Sequence, residues 1–209
     1  MEVVSINVGQ ERALEGRSFK GVTGIFKTPV GAPVAIGPLG LADDAICDTR
    51  HHGGPDQALY LYRQEDYDWW STERGATLAP GTFGDNLTVR GLPEPGLPIG
   101  TRLRFSDLLL EVSAPRIPCN TLAQRMDDPG FVKAFVRAER PGIYLRVIEP
   151  GTLAPGEAFT LEPYAGDQRS TTALYRDSYR KLDDDEIRAW LALPIDARTR
   201  AKLEAKLAG

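Results

Sequence analysis

The 209-residue sequence predicts a mostly β fold with a few short helices, a barrel or a sandwich, followed by a small three-helix C-terminal module. Three observations predict it. Up to about residue 165, short β-prone runs alternate apolar and polar residues between turns rich in Gly and Pro, as half-buried strands do. The runs are short and regularly interrupted, which favours a barrel or sandwich over βαβ units. From Asp167 onward Gly nearly vanishes and apolar residues recur at helical spacing, so the chain divides into 1–165 and 166–209.

In order, "EVVSINV" opens as a strand. "VTGIFKTPV", "APVAI", "ALYLY", "NLTVRGL", "TRLRF", "LLLEVSA", "IYLRVIE" and "AFTLEP" follow, each carrying the β-branched, aromatic or aliphatic residues that suit a pleated surface. Helices are expected over 64–74, through "CNTLAQRM" and over "FVKAFVRA". In the tail they are expected over 171–181, 184–193 and 197–208. Asp183 or Asp184 caps the second and Asp196 the third, because an Asp carboxylate accepts from the free N–H groups of a first turn. Pro194 follows the end of the second. Its stripe of Ile187, Trp190, Leu191 and Leu193, with Leu203 and Leu207 on the third helix, makes a small satellite bundle. Acidic and basic residues nearly balance there, which favours a docking or stabilising module over a DNA-reading helix-turn-helix.

Composition bounds the function. A net charge of −4 with both signs well represented argues against a general nucleic-acid binder. No run approaches the roughly 18 apolar residues of a membrane span, and "MEVVSINVGQ" lacks the basic start and apolar stretch of a secretory signal. Cys47 and Cys119 are the only cysteines, too few for a disulfide framework. The expectation is a cytoplasmic protein with neither membrane nor nucleic acid as partner.

Four clusters carry chemistry. In "APRIPCNTL" (114–122), Pro115 and Pro118 stiffen the turn before Cys119. A helix starting there puts the sulfur near free N–H groups and the positive end of the helix dipole, which lowers a thiol pKa, and Arg116 lowers it further. A thiolate is what a soft metal takes as ligand and what a nucleophile must be; the plainer alternative is a small buried side chain after a turn. In "RHHGGPDQALYLY" the two histidines, His51 and His52, precede Gly53 and Gly54, which let a backbone come close to an anion; a hairpin with a capping His51 is the plainer alternative. In "GTFGDNLTVRGL", Asp85 and Asn86 follow a glycine loop that also suits an ordinary Asx turn. Lys27, Arg116 and Arg146 are cations in β-rich surroundings, costly unless partnered or facing a ligand. Together with the glycine loop they suggest an anionic ligand, a phosphate foremost.

The motifs "GIFKTPV", "GL" followed by Asp44 and Asp48, "HGGPDQALYLY", "FGDNLTV", "PRIPC" and "GIYLRV" occur in that order over residues 20 to 165. In this the chain resembles the MOSC domain family, named for the C-terminal domain of molybdenum-cofactor sulfurase, and within it the stand-alone YiiM-like group, in which a three-helix module often follows the domain. Each motif is ordinary alone; six in order are specific. The resemblance implies a MOSC-type β-barrel that binds the molybdenum cofactor, a pyranopterin dithiolene bearing a phosphate, with Cys119 as the ligand to molybdenum. It implies that Arg116, His52, Gly53 and Asn86 line the cofactor pocket and that Lys27 and Arg146 contact phosphate or pterin. It implies reduction of small N-hydroxylated compounds such as hydroxylated nucleobases: two electrons cleave the N–O bond and water leaves after protonation. His52 and Asp85 are the proton-donor candidates, and titration near neutrality favours His52. The sequence carries no nicotinamide fingerprint or iron–sulfur cysteine set, so a separate electron-donor reductase, a flavoprotein or a ferredoxin-type protein, is implied. Asp85 stands where the family pattern has Glu, Asp43 where it has Gly, and Cys47 matches no family position.

Three alternatives remain at this stage. A non-catalytic molybdenum-cofactor or sulfur carrier would use the same barrel, with Cys119 holding persulfide or cofactor. A cysteine hydrolase would pair Cys119 with His52. A zinc site would draw on Cys47, His51, His52 and Cys119, although the paired Cys spacing of common structural zinc sites is missing.

Overall fold

The runs bounded by Gly and Pro do form strands. The computed structural model describes residues 1–16, 20–94 and 96–208. Its strands are β1 (Glu2–Gly9), β2 (Arg12–Glu15), β3 (Lys20–Thr23), β4 (Lys27–Val30), β5 (Val34–Gly37), β6 (Gly40–Leu41), β7 (Leu59–Arg63), β8 (Leu87–Arg90), β9 (Arg102–Arg104), β10 (Leu109–Pro115), β11 (Ile143–Glu149), β12 (Gly151–Leu153) and β13 (Thr160–Glu162). Its helices are α1 (Gln64–Arg74), α2 (Asn120–Arg125), α3 (Phe131–Ala138), α4 (Thr171–Asp177), α5 (Asp184–Leu191) and α6 (Ala197–Leu207), with a 3₁₀ turn at Pro55–Gln57.

Eight strands form one sheet in the order β13-β9-β10-β11-β7-β8-β1-β4, antiparallel except where α1 carries the chain from β7 to a parallel β8. A hairpin (β2–β3) and a three-stranded sheet (β12-β5-β6) complete the strands described. The expected closed barrel is corrected to an open sheet with edges β4 and β13. The two ends meet only locally: residues 1–3 bond the segment before β13 (Val3 N to Glu157 O, 2.9 Å; Phe159 N to Met1 O, 3.2 Å), whereas Ile6–Gly9 pair with β4. "Mostly β" is corrected too: among the described residues helix takes 26% against about 30% for strand, so the fold is sheet-rich with six helices.

The run "VTGIFKTPV", expected as one strand, breaks between β3 and β4. A Cβ on Gly24 would lie 2.0 Å from the Ala45 carbonyl oxygen, so the backbones of the two segments touch where the break falls.

Alternation along β7 divides the core. Leu59 and Leu61 join the main aliphatic cluster, while Tyr60 and Tyr62 point to an aromatic cluster with Tyr67, Trp70, Phe83, Phe131, Phe135 and Tyr144 under α1 and α3. A strand buried on both faces reads as the near-continuous apolar run seen in the sequence. The tail follows its caps. Asp183 closes a capping box with Glu186, and Asp196 accepts from the Arg198 and Thr199 N–H groups. Leu174, Ile187, Trp190, Leu193 and Leu203 of the tail belong to the same cluster as the sheet residues Leu103, Leu110 and Val112. The first tail helix stops at Asp177, short of the expected 181. Its carboxylate accepts from Trp190 Nε1 (2.8 Å), and Ser178 is the C-cap.

Candidate functional site

Pro115 ends β10, and Cys119 is the N-cap residue of α2, with extended dihedrals (φ −125°, ψ 169°). The stiff turn between them delivers both Arg116 and the thiol to the lining of an open cleft with a cavity volume of about 110 Å³. Burial pushes the Cys119 thiol up, but a hydrogen bond with His52, the Arg116 charge, the His52 charge and the Leu122 N–H outweigh it, and the pKa falls to about 6. At neutral pH the sulfur is largely thiolate. Cys47 lines the same cleft in the opposite state, its pKa raised by burial and by Glu11 and Asp44.

Arg116 is buried. Its Nη1 donates to Phe83 O (3.0 Å), and the guanidinium lies 5.0 Å from the Tyr60 ring centroid. These partners are a carbonyl and an aromatic ring, neither of which cancels the charge. His52 reaches the cleft from the loop before the 3₁₀ turn, its Nδ1 3.4 Å from Tyr144 Oη. Gly53 behind it has φ 69°, and a Cβ there would meet Ile46 Cγ2 at 2.9 Å. That backbone position admits glycine alone without a shift.

Lys27 and Asn86 also line the cleft, joined through Asp44. The Asp44 carboxylate takes the Lys27 ammonium, the Asn86 amide (2.8 Å) and the Gly9 N–H (2.8 Å). Asn86 Oδ1 accepts from Tyr60 N (3.1 Å), tying β7 to the Asp44 loop. Asp43 has a left-handed φ of 63°, a conformation that favours glycine.

The structure keeps two expected residues off the cleft wall. Asp85 is fully buried behind it, where its carboxylate accepts from Tyr67 Oη, Thr88 Oγ1 (2.7 Å) and Asn7 Nδ2 (3.3 Å). Burial raises its pKa against those bonds. Arg146 faces the tail, donating to Glu111 Oε1 (3.1 Å) and Pro194 O (3.0 Å) and forming an ion pair with Asp56 Oδ1 (3.0 Å). Among the described residues no three His, Cys, Asp or Glu side chains cluster as a metal site, and His51 is exposed on Asp48 (2.9 Å); the four-residue zinc alternative has no support.

Sequence reasoning missed Tyr60, Tyr144 and Gln57 on the cleft wall. The two tyrosines alternate with core leucines in their strands and read as core. Gln57 sits in the motif already singled out, and its Oε1 is buried with no hydrogen-bond partner; no pattern in the sequence marks an unpartnered atom.

Comparison with known proteins identifies the family. The MOSC domain matches residues 48–160. The chain is 36% identical to the uncharacterized protein YflK of Bacillus subtilis over 74% of this chain and 70% of that one. It is 30% identical to a reductase of Gibberella moniliformis over 71% of this chain, a match that spans 28% of that longer protein. The crystal structure of YiiM from Geobacillus stearothermophilus superposes with a TM-score of 0.82 at 30% identity, covering 99% of this chain and 98% of the other. Among the described residues no helix is long and apolar enough to cross a membrane. The chain belongs to the MOSC domain family.

Proposed function

We propose that this protein is a molybdenum-cofactor-dependent reductase of N-hydroxylated compounds, with Cys119 as the protein ligand to molybdenum. The observation that carries the reading is the Cys119 thiol, held at a pKa of about 6 beside Arg116 in the lining of an open cleft. Soft thiolate is the donor such a metal takes. The cleft also offers the buried Arg116 guanidinium beside the thiolate and the unpartnered acceptor Gln57 Oε1, so its lining suits a ligand that brings N–H groups to that acceptor. When bound, the cofactor supplies a two-electron centre able to cleave an N–O bond.

The chain's own residues then divide the work. Arg116 and His52 keep Cys119 ionised. Lys27, Asp44 and Asn86 form a bonded unit along the cleft wall, with Gly53 admitting close backbone approach. His52 is the proton donor of this reading, because its ring reaches the cleft and an imidazole can carry and release a proton. Asp85, sealed behind Tyr67 and Thr88, positions the loop before β8. A separate electron-donor reductase, a flavoprotein or ferredoxin-type protein, belongs to the same reading.

The test uses protein made in a host that supplies the cofactor, wild type beside Cys119→Ser, with molybdenum counted by mass spectrometry. About one molybdenum per chain in the wild type, at least about tenfold less in the variant, and reduction of an N-hydroxylated base with a chemical electron donor are expected. No molybdenum in either, despite verified supply, sinks the reading. Molybdenum without turnover favours a cofactor carrier.

A further inference from the structure

The loop that carries His52 has no regular secondary structure between Asp44 and Pro55, yet it must present a ring and a glycine backbone to the cleft. Within the loop, His52 N donates to Asp48 O (2.9 Å) and His51 N to Asp48 Oδ1 (3.3 Å); outside it, Ala45 N donates to Gly9 O (2.9 Å) and the His52 ring meets Tyr144 Oη (3.4 Å). The carbonyls of Thr49, His52 and Gly53 are held from the far end of the chain. Arg198, in the first turn of α6, donates from Nη1 to Gly53 O (2.9 Å) and from Nη2 to Thr49 O (3.1 Å) and His52 O (3.4 Å). All the hydrogen bonds of this side chain go to that one loop. A planar guanidinium with five donors suits three converging carbonyls, which a lysine ammonium matches poorly. The same turn of α6 grips the other end of the loop. Ala197 N donates to Asp56 Oδ2 (2.8 Å), and Asp56 Oδ1 pairs with Arg146 (3.0 Å).

We propose that Arg198 is a positioning residue for the cleft: by holding the carbonyls of Thr49, His52 and Gly53 it sets where the His52 ring and the Gly53 backbone lie. This makes the first turn of α6 part of the site's framework, a role separate from docking a partner. The proposal rests on the cofactor reading only for the identity of the ligand that fills the cleft.

The same helix supplies the control. Arg200 also spends its guanidinium on carbonyls, those of Leu191 (2.9 Å) and Leu193 (2.7 Å) at the end of α5, away from the loop. His51 and His52 are the only histidines, so the imidazole Hε1 signals of the cofactor-free protein are two and are assigned with His51→Gln. In Arg198→Met, whose side chain keeps the apolar stem, the His52 ring signal shifts and broadens. In Arg200→Met it stays as in wild type, even at an equal loss of melting temperature. Molybdenum per chain, after production with cofactor supply, falls about tenfold or more in Arg198→Met, the range seen when groups that orient metal ligands are removed. It stays near wild type in Arg200→Met and is intermediate in Arg198→Lys.

A wild-type His52 signal in Arg198→Met overturns the proposal, as does equal molybdenum loss in the two methionine variants. If Arg198→Met does not fold, Arg198→Lys decides by the same ring signal. If wild type takes up no molybdenum, the cofactor reading fails while the ring signal still decides the positioning claim.

Discussion

At the scale of single residues, the pair Cys119 and Cys47 makes the sharpest prediction. The two thiols share a cleft but are pushed in opposite directions, Cys119 down to about 6 and Cys47 up. Iodoacetamide labelling followed residue by residue in a mass spectrometer should show Cys119 reacting with a midpoint near pH 6, and Cys47 slower at pH 7. His52→Gln removes the bond and charge that oppose burial, so the Cys119 midpoint moves up. Equal rates for the two thiols at pH 7 would contradict this account. The linkage follows in sign: a folded pKa below the ordinary value of 9.0 adds stability above that value, lost as pH falls from about 9 through 6. The excess stability of wild type over Cys119→Ala therefore shrinks across that window. The cap position of Cys119 was legible because a proline-stiffened turn before a helix is local chemistry. The His52 contact was not legible as geometry, because no local rule brings together residues that far apart in the chain.

At the scale of elements, Gly53 and Arg146 teach different lessons. Gly53→Ala places a Cβ 2.9 Å from Ile46 Cγ2 at a φ of 69°; a loss of about 1–3 kcal/mol is expected, read as a lower denaturation midpoint. The need for glycine there was visible in "HGGPD", since turn chemistry is written locally. Arg146 was expected to meet a phosphate and instead joins β11 to Asp56, Glu111 and the Pro194 carbonyl. Arg146→Met leaves the buried Glu111 and the partly exposed Asp56 with one cation fewer, and about 2 kcal/mol of stability should go with it, near 4–8 °C in melting temperature for a chain of this size. An unchanged melting temperature would refute that assignment. The residue's type and strand were legible, but the face it takes depends on which element covers the sheet.

At the scale of the whole molecule, the tail and the sheet share one apolar cluster, with Trp190 fully buried within it. Trp190→Ala should cost about 3–5 kcal/mol. Far-UV circular dichroism and tyrosine fluorescence, which reports chiefly on the aromatic cluster under α1 and α3, should then melt together at a lower temperature. Separate transitions would show the tail folding on its own. The open sheet belongs to this scale as well: its two ends meet only locally, where residues 1–3 bond the segment before β13, and strand propensity is silent on that.

The sequence by itself determined what depends on near neighbours: the strand runs, a cap at Asp183 or Asp184 and another at Asp196, the turn that presents Cys119, the glycines beside His52, and six motifs in order. Tertiary structure alone decided that Asp85 is sealed from the cleft, that Arg146 serves the tail, that Gln57 and two tyrosines line the wall, and that Arg198 holds the His52 loop from 145 residues away. Hydrogen bonding and burial act through space, whereas periodicity, capping and turn preference act along the chain, and only the second kind leaves its mark in the order of residues.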